Sequence, residues 1–159
     1  METQQERWNR IFEESETKRP VYDDWLAKYG EVFDASKDTP IIDLGCGFGN
    51  NTFYLYERGY QVISCDFAEA ALQRLSHFVP NSVTRLFDLC SRFPFEDGAA
   101  KIVVADLCIH YFSEAETKGI IAEIRRVLSD GGWLFSRVNS VKDLNYGAGL
   151  AGTDPIDAG

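Results

Sequence analysis

The chain has 159 residues, which suits one domain with a sizeable core and leaves little room for two. Eleven Phe, seven Tyr and three Trp in a composition that is 45% hydrophobic exclude a chain disordered throughout. A formal charge of −9 argues against a nucleic-acid binder, which needs a basic face, and against an anionic membrane surface.

Residues 1–39 predict two polar, amphipathic helices and a linker. The second is expected to start at Pro20, to share Val21, Trp25, Leu26 and Tyr29 on one face, and to stop at Gly30. The texture changes at Pro40. Ile41-Ile42-Asp43-Leu44 reads as a strand running into a glycine cluster, and residues 49–58 as a helix closed by Gly59. Residues 61–65 give a second strand, 67–78 a helix, and Val83 to Phe87 a third strand. Lys101 to Ala105 is a fourth strand. Ser113-Glu114-Ala115-Glu116 has the form of a capping box. Ile120, Ile121, Ile124, Val127 and Leu128 make one helical face, Asp130-Gly131-Gly132 is expected to end that helix, and Trp133 to Val138 is a fifth strand.

Strands alternating with crossover helices pair in parallel. Right-handed crossovers then predict an α/β, Rossmann-like, doubly wound sheet of five strands, ordered 3-2-1-4-5, with helices on both faces. Ligands of such sheets bind outside the carboxyl ends of the strands. No apolar run approaches a membrane span, and METQQERWNR shows no signal peptide. The four cysteines, Cys46, Cys65, Cys90 and Cys108, include no CxxC pair, so neither a disulfide scaffold nor a metal site is expected. These features predict a cytoplasmic protein.

The first strand leads into Asp43-Leu44-Gly45-Cys46-Gly47-Phe48-Gly49-Asn50. Glycines allow a sharp turn and close approach of a ligand, and a helix N-terminus attracts an anion. The spacing is D-x-G-x-G-x-G. It is not the GxGxxG of dinucleotide-binding proteins, because Asn50 stands where their third glycine falls. Asp66 ends the next strand, where a carboxylate can accept hydrogen bonds from both hydroxyls of a ribose. A helix cap is its other reading.

These residues resemble a class I S-adenosylmethionine-dependent methyltransferase. IIDLGCGFG resembles its first motif, VISCDF its second strand and ribose-binding acid, and LFDLCSRFPF the segment whose Asp meets adenine. VVADLCIHYFS and EIRRVLSDGGWLFSRVNS resemble its fourth strand, the following helix and the fifth strand. Within that superfamily the chain looks most like small bacterial enzymes of the tellurite-resistance type. The resemblance implies S-adenosyl-L-methionine as cofactor, S-adenosyl-L-homocysteine as product and a small molecule as methyl acceptor. It implies cofactor contacts from Asp43, Gly45, Cys46, Gly47, Asn50, Asp66, Phe67, Asp88, Leu89, Asp106 and Leu107. His110 and Tyr111, just past the fourth strand, are the candidate catalytic residues, with a structural histidine as the other reading.

The implied organisation is an N-terminal helical segment, 1–39, closing over the cofactor through Tyr22 and Trp25 or simply packing on the sheet; a methyltransferase core, 40–147; and a flexible tail, 148–159. The family sheet continues beyond a fifth strand, so the chain is read as shortened at its carboxyl end. That reading carries two further expectations: a strand-five edge covered by the tail or paired in a homodimer, and a domain that binds cofactor without turnover as the alternative to an enzyme.

Overall fold

The computed structural model describes residues 1–140. The last part of the expected core, 141–147, and the expected tail, 148–159, lie outside the described residues. The elements in chain order are α1 (Gln4–Glu14), a 3-10 turn (Ala27–Tyr29), α2 (Gly30–Asp34), β1 (Ile41–Leu44), α3 (Asn50–Glu57), β2 (Val62–Asp66), α4 (Glu69–Ser76) and β3 (Val83–Leu86). Then come β4 (Ala100–Asp106), a second 3-10 turn (Ile109–Tyr111), α5 (Glu114–Val127) and β5 (Leu128–Arg137).

The sheet has five strands in the order β3-β2-β1-β4-β5, and every pairing is parallel. β1 lies at its centre, and all four of its residues are buried. A parallel strand covered on both faces favours an apolar run, and β1, Ile-Ile-Asp-Leu, departs from it only at the buried Asp43. Side chains still alternate between faces. Ile42, Leu44, Val103 and Ala105 meet Ile120, Ile124 and Val127 of α5 on one side. Ile41, Ile102, Val104 and Phe135 meet Leu26, Phe33, Tyr54 and Leu55 on the other.

The expected capping box of α5 is present: the Glu116 N–H donates to Ser113 Oγ, and the Ser113 N–H donates to Glu116 Oε2 at 2.9 Å. Two expectations need correction. The helix expected from Pro20 to Gly30 does not form; the chain runs irregularly to Leu26, and helix proper begins only at Gly30. Long-range partners override a weak local preference there. Tyr22 Oη donates to Glu57, the Trp25 indole donates to Asn51 Oδ1, and Asp23 pairs with Arg137. The second correction concerns Asp130-Gly131-Gly132, which does not stop α5. The helix ends at Val127, and the glycines lie inside a strand that starts at Leu128. They mark an irregular register between β4 and β5. A Cβ on Gly132 would sit 2.9 Å from the Ser129 carbonyl and 3.0 Å from that of Lys101, so glycine is required for this close passage.

Phe33, 2% exposed, stacks on Phe135 and packs against Tyr60. Phe33→Ala is expected to cost about 3–5 kcal/mol of unfolding free energy in a urea titration. A loss below about 1 kcal/mol would show that this N-terminal residue lies outside the cooperative core.

Candidate active site

The loop from Gly45 to Gly49 joins β1 to α3 at the carboxyl end of the sheet. Its course is dictated by backbone conformation. Gly45 has φ +61°, and a Cβ there would lie 2.7 Å from Cys108 Cβ, so the loop after β1 sits directly on the segment after β4. Gly49, with φ +83°, is the residue that caps the start of α3.

Asp66 closes the site from the end of β2. It is 7% exposed. Its Oδ2 accepts the Gly47 N–H and its Oδ1 accepts the Ala68 N–H, each at 2.9 Å. The second of these bonds ties Asp66 to the start of α4, since Ala68 is the N-cap of that helix. Burial raises the Asp66 carboxyl above its ordinary value, and the backbone N–H groups oppose that rise. A carboxylate has about four lone-pair positions. Two are used here, and further hydroxyl donors would stabilise the charged form.

Asp43 lies deeper, at 1% exposure behind the loop. Its Oδ2 accepts from Thr52 Oγ at 2.6 Å, and Thr52 Oγ also meets Ser64 Oγ. Burial pushes its carboxyl up to about 7, with the negative charges of Asp106 and Asp66 adding and the Thr52 hydroxyl opposing.

Asp106 ends β4 and belongs to a closed network. It takes both Arg137 Nε and Nη2 at 2.7 Å, and the Asn51 amide donates to it at 2.9 Å. Arg137 also pairs with Asp23 and lies over the Trp25 ring at 4.5 Å, and the Trp25 indole returns to Asn51. Trp25 is thereby placed beside the ends of β4 and β5. Tyr22 packs instead on Tyr54 and Phe53 of α3.

The remaining expected residues spread along the same edge. Cys46 is buried, and its N–H donates to the Cys65 carbonyl; Asn50 is exposed at the start of α3. Phe67 follows Asp66, and its carbonyl accepts from Gln5 Nε2. Asp88 is exposed and accepts the Cys90 N–H, with the half-buried Leu89 beside it. Leu107 has φ +51°, a left-handed conformation costly for a side chain of this kind, and its N–H donates to the Arg137 carbonyl. His110 and Tyr111 form the 3-10 turn that follows.

A first helix within residues 1–39 was expected, but sequence reasoning named none of the residues that α1 places on this edge. Phe12 of α1 is 4% exposed and packs against Phe48, with its Cζ 3.6 Å from the position of a Gly47 side chain. Trp8 stacks on Phe12 and meets Tyr111 edge-on at 5.5 Å. Asn9 accepts the Ala70 N–H, and Arg74 donates to the carbonyls of Phe12, Ser15 and Glu16 at the far end of the helix. A local signal was available: Thr3 and Glu6 form a capping box that fixes where α1 starts. Nothing local says where α1 docks.

A cleft of about 570 Å³ lies elsewhere, between residues 89–92 and α5; of the expected site residues it touches Leu89 alone. Among the described residues no three His, Cys, Asp or Glu side chains form a group able to hold a metal, and no helix is long and apolar enough to cross a membrane.

A family model described as a methyltransferase domain matches residues 42–136, more than half of the chain. The chain belongs to that family. An uncharacterized methyltransferase of Synechocystis is 32% identical over 106 residues, covering 67% of this chain and 49% of the relative. The chain therefore matches about half the length of that curated relative. A protein of Pyrococcus horikoshii shares the fold with a TM-score of 0.67 at 22% identity, over 89% of this chain and 62% of that one. An S-adenosylmethionine dependent methyltransferase of Mesorhizobium loti gives a TM-score of 0.58 at 24% identity, over 70% and 50% of the two chains.

The Asp43 carboxyl has a pH signature. Its folded pKa lies above the unfolded value of about 3.9, so its contribution is fully favourable below that pH and is lost as pH rises through 7. Asp43→Asn keeps an acceptor for Thr52 without the charge. The melting temperature of the variant minus that of the wild type is expected to rise between about pH 4 and 7 and to flatten on either side. A difference independent of pH would place the ionised carboxylate comfortably in the core.

Proposed function

We propose that this protein binds S-adenosylmethionine along the carboxyl edge of β1, β2, β3 and β4 and transfers its methyl group to a small-molecule acceptor. The observation that carries this reading is Asp66, a buried carboxylate at the end of β2 that is bonded to the glycine loop and has acceptor capacity left for hydroxyl donors. Family membership supplies the reaction class. When bound, the cofactor supplies a sulfonium already activated for methyl loss.

Each group on this edge has a task that suits its place. Asp66 would hold the ribose hydroxyls. Phe67 and Leu89 would flank the adenine, with Asp88 as acceptor for its amino group. The loop Gly45–Gly47 and the strained Leu107 offer backbone to the methionine end. Trp8, Phe12 and Tyr111 would exclude water from the reacting atoms, where alignment and desolvation do most of the work. His110 and Tyr111 stand where the acceptor would lie.

S-adenosylhomocysteine is expected to raise the melting temperature by about 5–10 °C at a hundredfold excess over its Kd, and NAD is expected to leave it unmoved. The opposite pattern would sink the reading. Asp66→Asn keeps one acceptor oxygen and removes the charge. It is expected to weaken S-adenosylhomocysteine about 10- to 100-fold by calorimetry. Asp66→Ala is a poorer probe, because it frees both the Gly47 and Ala68 N–H groups, whereas Asn frees one of them. An Asp66→Asn protein of normal stability and unchanged affinity would place the ribose elsewhere.

A further inference from the structure

Helix α1 lacks a cation at its own end. Its last turn carries Glu13 and Glu14 and no basic residue, although the free carbonyls of a helix C-terminus favour positive charge. The cation comes from another element. Arg74 of α4, half-buried, donates through Nη1 to the carbonyls of Phe12 at 3.2 Å and Ser15 at 2.7 Å, and through Nη2 to that of Glu16 at 2.7 Å. Its guanidinium also lies over the Phe48 ring at 5.3 Å, and Phe48 meets Phe12 edge-on at 4.9 Å. One side chain thus joins α4, the end of α1 and the glycine loop.

The helix it holds crosses three neighbouring carboxyl ends of the sheet. Gln5 donates to the Phe67 carbonyl after β2, Phe12 packs on the loop after β1, and Trp8 meets Tyr111 after β4. Asp66, between the first two of these points, is 7% exposed. A ligand that reaches both Asp66 and the glycine loop therefore passes under α1, and the helix has to lift to admit it. An isolated helix of 11 residues is marginal in water, so α1 depends on its docking contacts. Arg74 supplies the charge-assisted ones.

We infer that Arg74 is a positioning residue of the cofactor site: it holds α1 as a roof across the glycine loop, and S-adenosylmethionine enters and leaves when that hold is released. This rests on the methyltransferase reading. Entry and exit past a cover both scale with the fraction of time the cover is lifted. A weaker hold speeds both, and their ratio, the affinity, stays nearly constant while the closed form dominates.

The test pairs stopped-flow binding of S-adenosylhomocysteine with hydrogen exchange. In Arg74→Met the Ser15 N–H, bonded to the Ile11 carbonyl, is expected to exchange about tenfold faster, with the amides of β1 keeping their rates. Association and dissociation are each expected to rise about tenfold, and the Kd to change by less than about threefold. Arg74→Lys keeps the charge with fewer directed donors. It is expected to fall between the two proteins, and it carries the comparison if Arg74→Met does not fold. Glu13→Lys added to Arg74→Met puts a cation into the last turn of α1 without tying the helix to α4. It is expected to slow the Ser15 exchange in part and to leave binding fast. Binding that returns to wild-type rates in that double variant would show that Arg74 serves the helix alone, and would overturn the inference. Wild-type rates in Arg74→Met would overturn it as well. Wild-type protein that takes up no S-adenosylhomocysteine overturns the methyltransferase reading instead, an outcome distinct from binding at rates that Arg74 does not control.

Discussion

Two backbone N–H groups from different parts of the fold end on one carboxylate. Gly47 belongs to the turn after β1, and Ala68 to the entry of α4, yet both donate to Asp66. The geometry of the site follows from that pairing. It holds the glycine loop against the end of β2 and sets where α4 begins. It also leaves Phe67 and Ala70 positioned to receive Gln5 and Asn9 of α1. Charge-assisted bonds of this kind are worth about 1.5–3 kcal/mol each, and they act against the desolvation that raises the carboxyl's proton affinity. The carboxylate is therefore held between burial, which favours its protonated form, and its backbone donors, which favour its charged form.

A second arrangement does for β4 and β5 what Asp66 does for β1 and β2. Arg137 grips Asp106 with two parallel N–H bonds, a geometry a lysine could not reproduce. The other face of the guanidinium rests on Trp25, and its remaining arm reaches Asp23. The irregular N-terminal stretch is thus tied to the sheet by side chains rather than by secondary structure. Leu107 takes up the left-handed turn between these strands and the 3-10 turn that bears His110.

The central architecture was legible because its signals are local. Ile41-Ile42-Asp43-Leu44 running into a glycine cluster marks β1 and the turn after it, and the acid at position 66 marks the end of β2. What escaped was set by distant partners. Residues 20–26 have the apolar spacing of a helix, but Tyr22, Asp23 and Trp25 each find a partner on another element and draw the chain out. Gly131-Gly132 carries the usual mark of a helix end, and only the nearby Lys101 carbonyl reveals that it accommodates a strand passing close by. Asn51 reads as an ordinary helix residue until Trp25 and Asp106 are seen on either side of it. The docking of α1 depends on Phe12 meeting the loop at Gly47, a contact no sequence window contains.

The parallel order of the strands also bears on how the chain reaches this structure. β1 and β2 join through α3 alone, with Ile41 opposite Val62, whereas β1 meets β4 by bringing Val103 back to Ile42. Closing the longer loop costs more chain entropy, and non-local pairing slows folding. The β1–α3–β2 unit is the more local nucleus, and it contains both the glycine loop and the carboxylate that holds it. On loop-closure entropy alone, that unit is expected to pair before β4 does, so the glycine loop and Asp66 would meet before Asp106 and Arg137 are brought together.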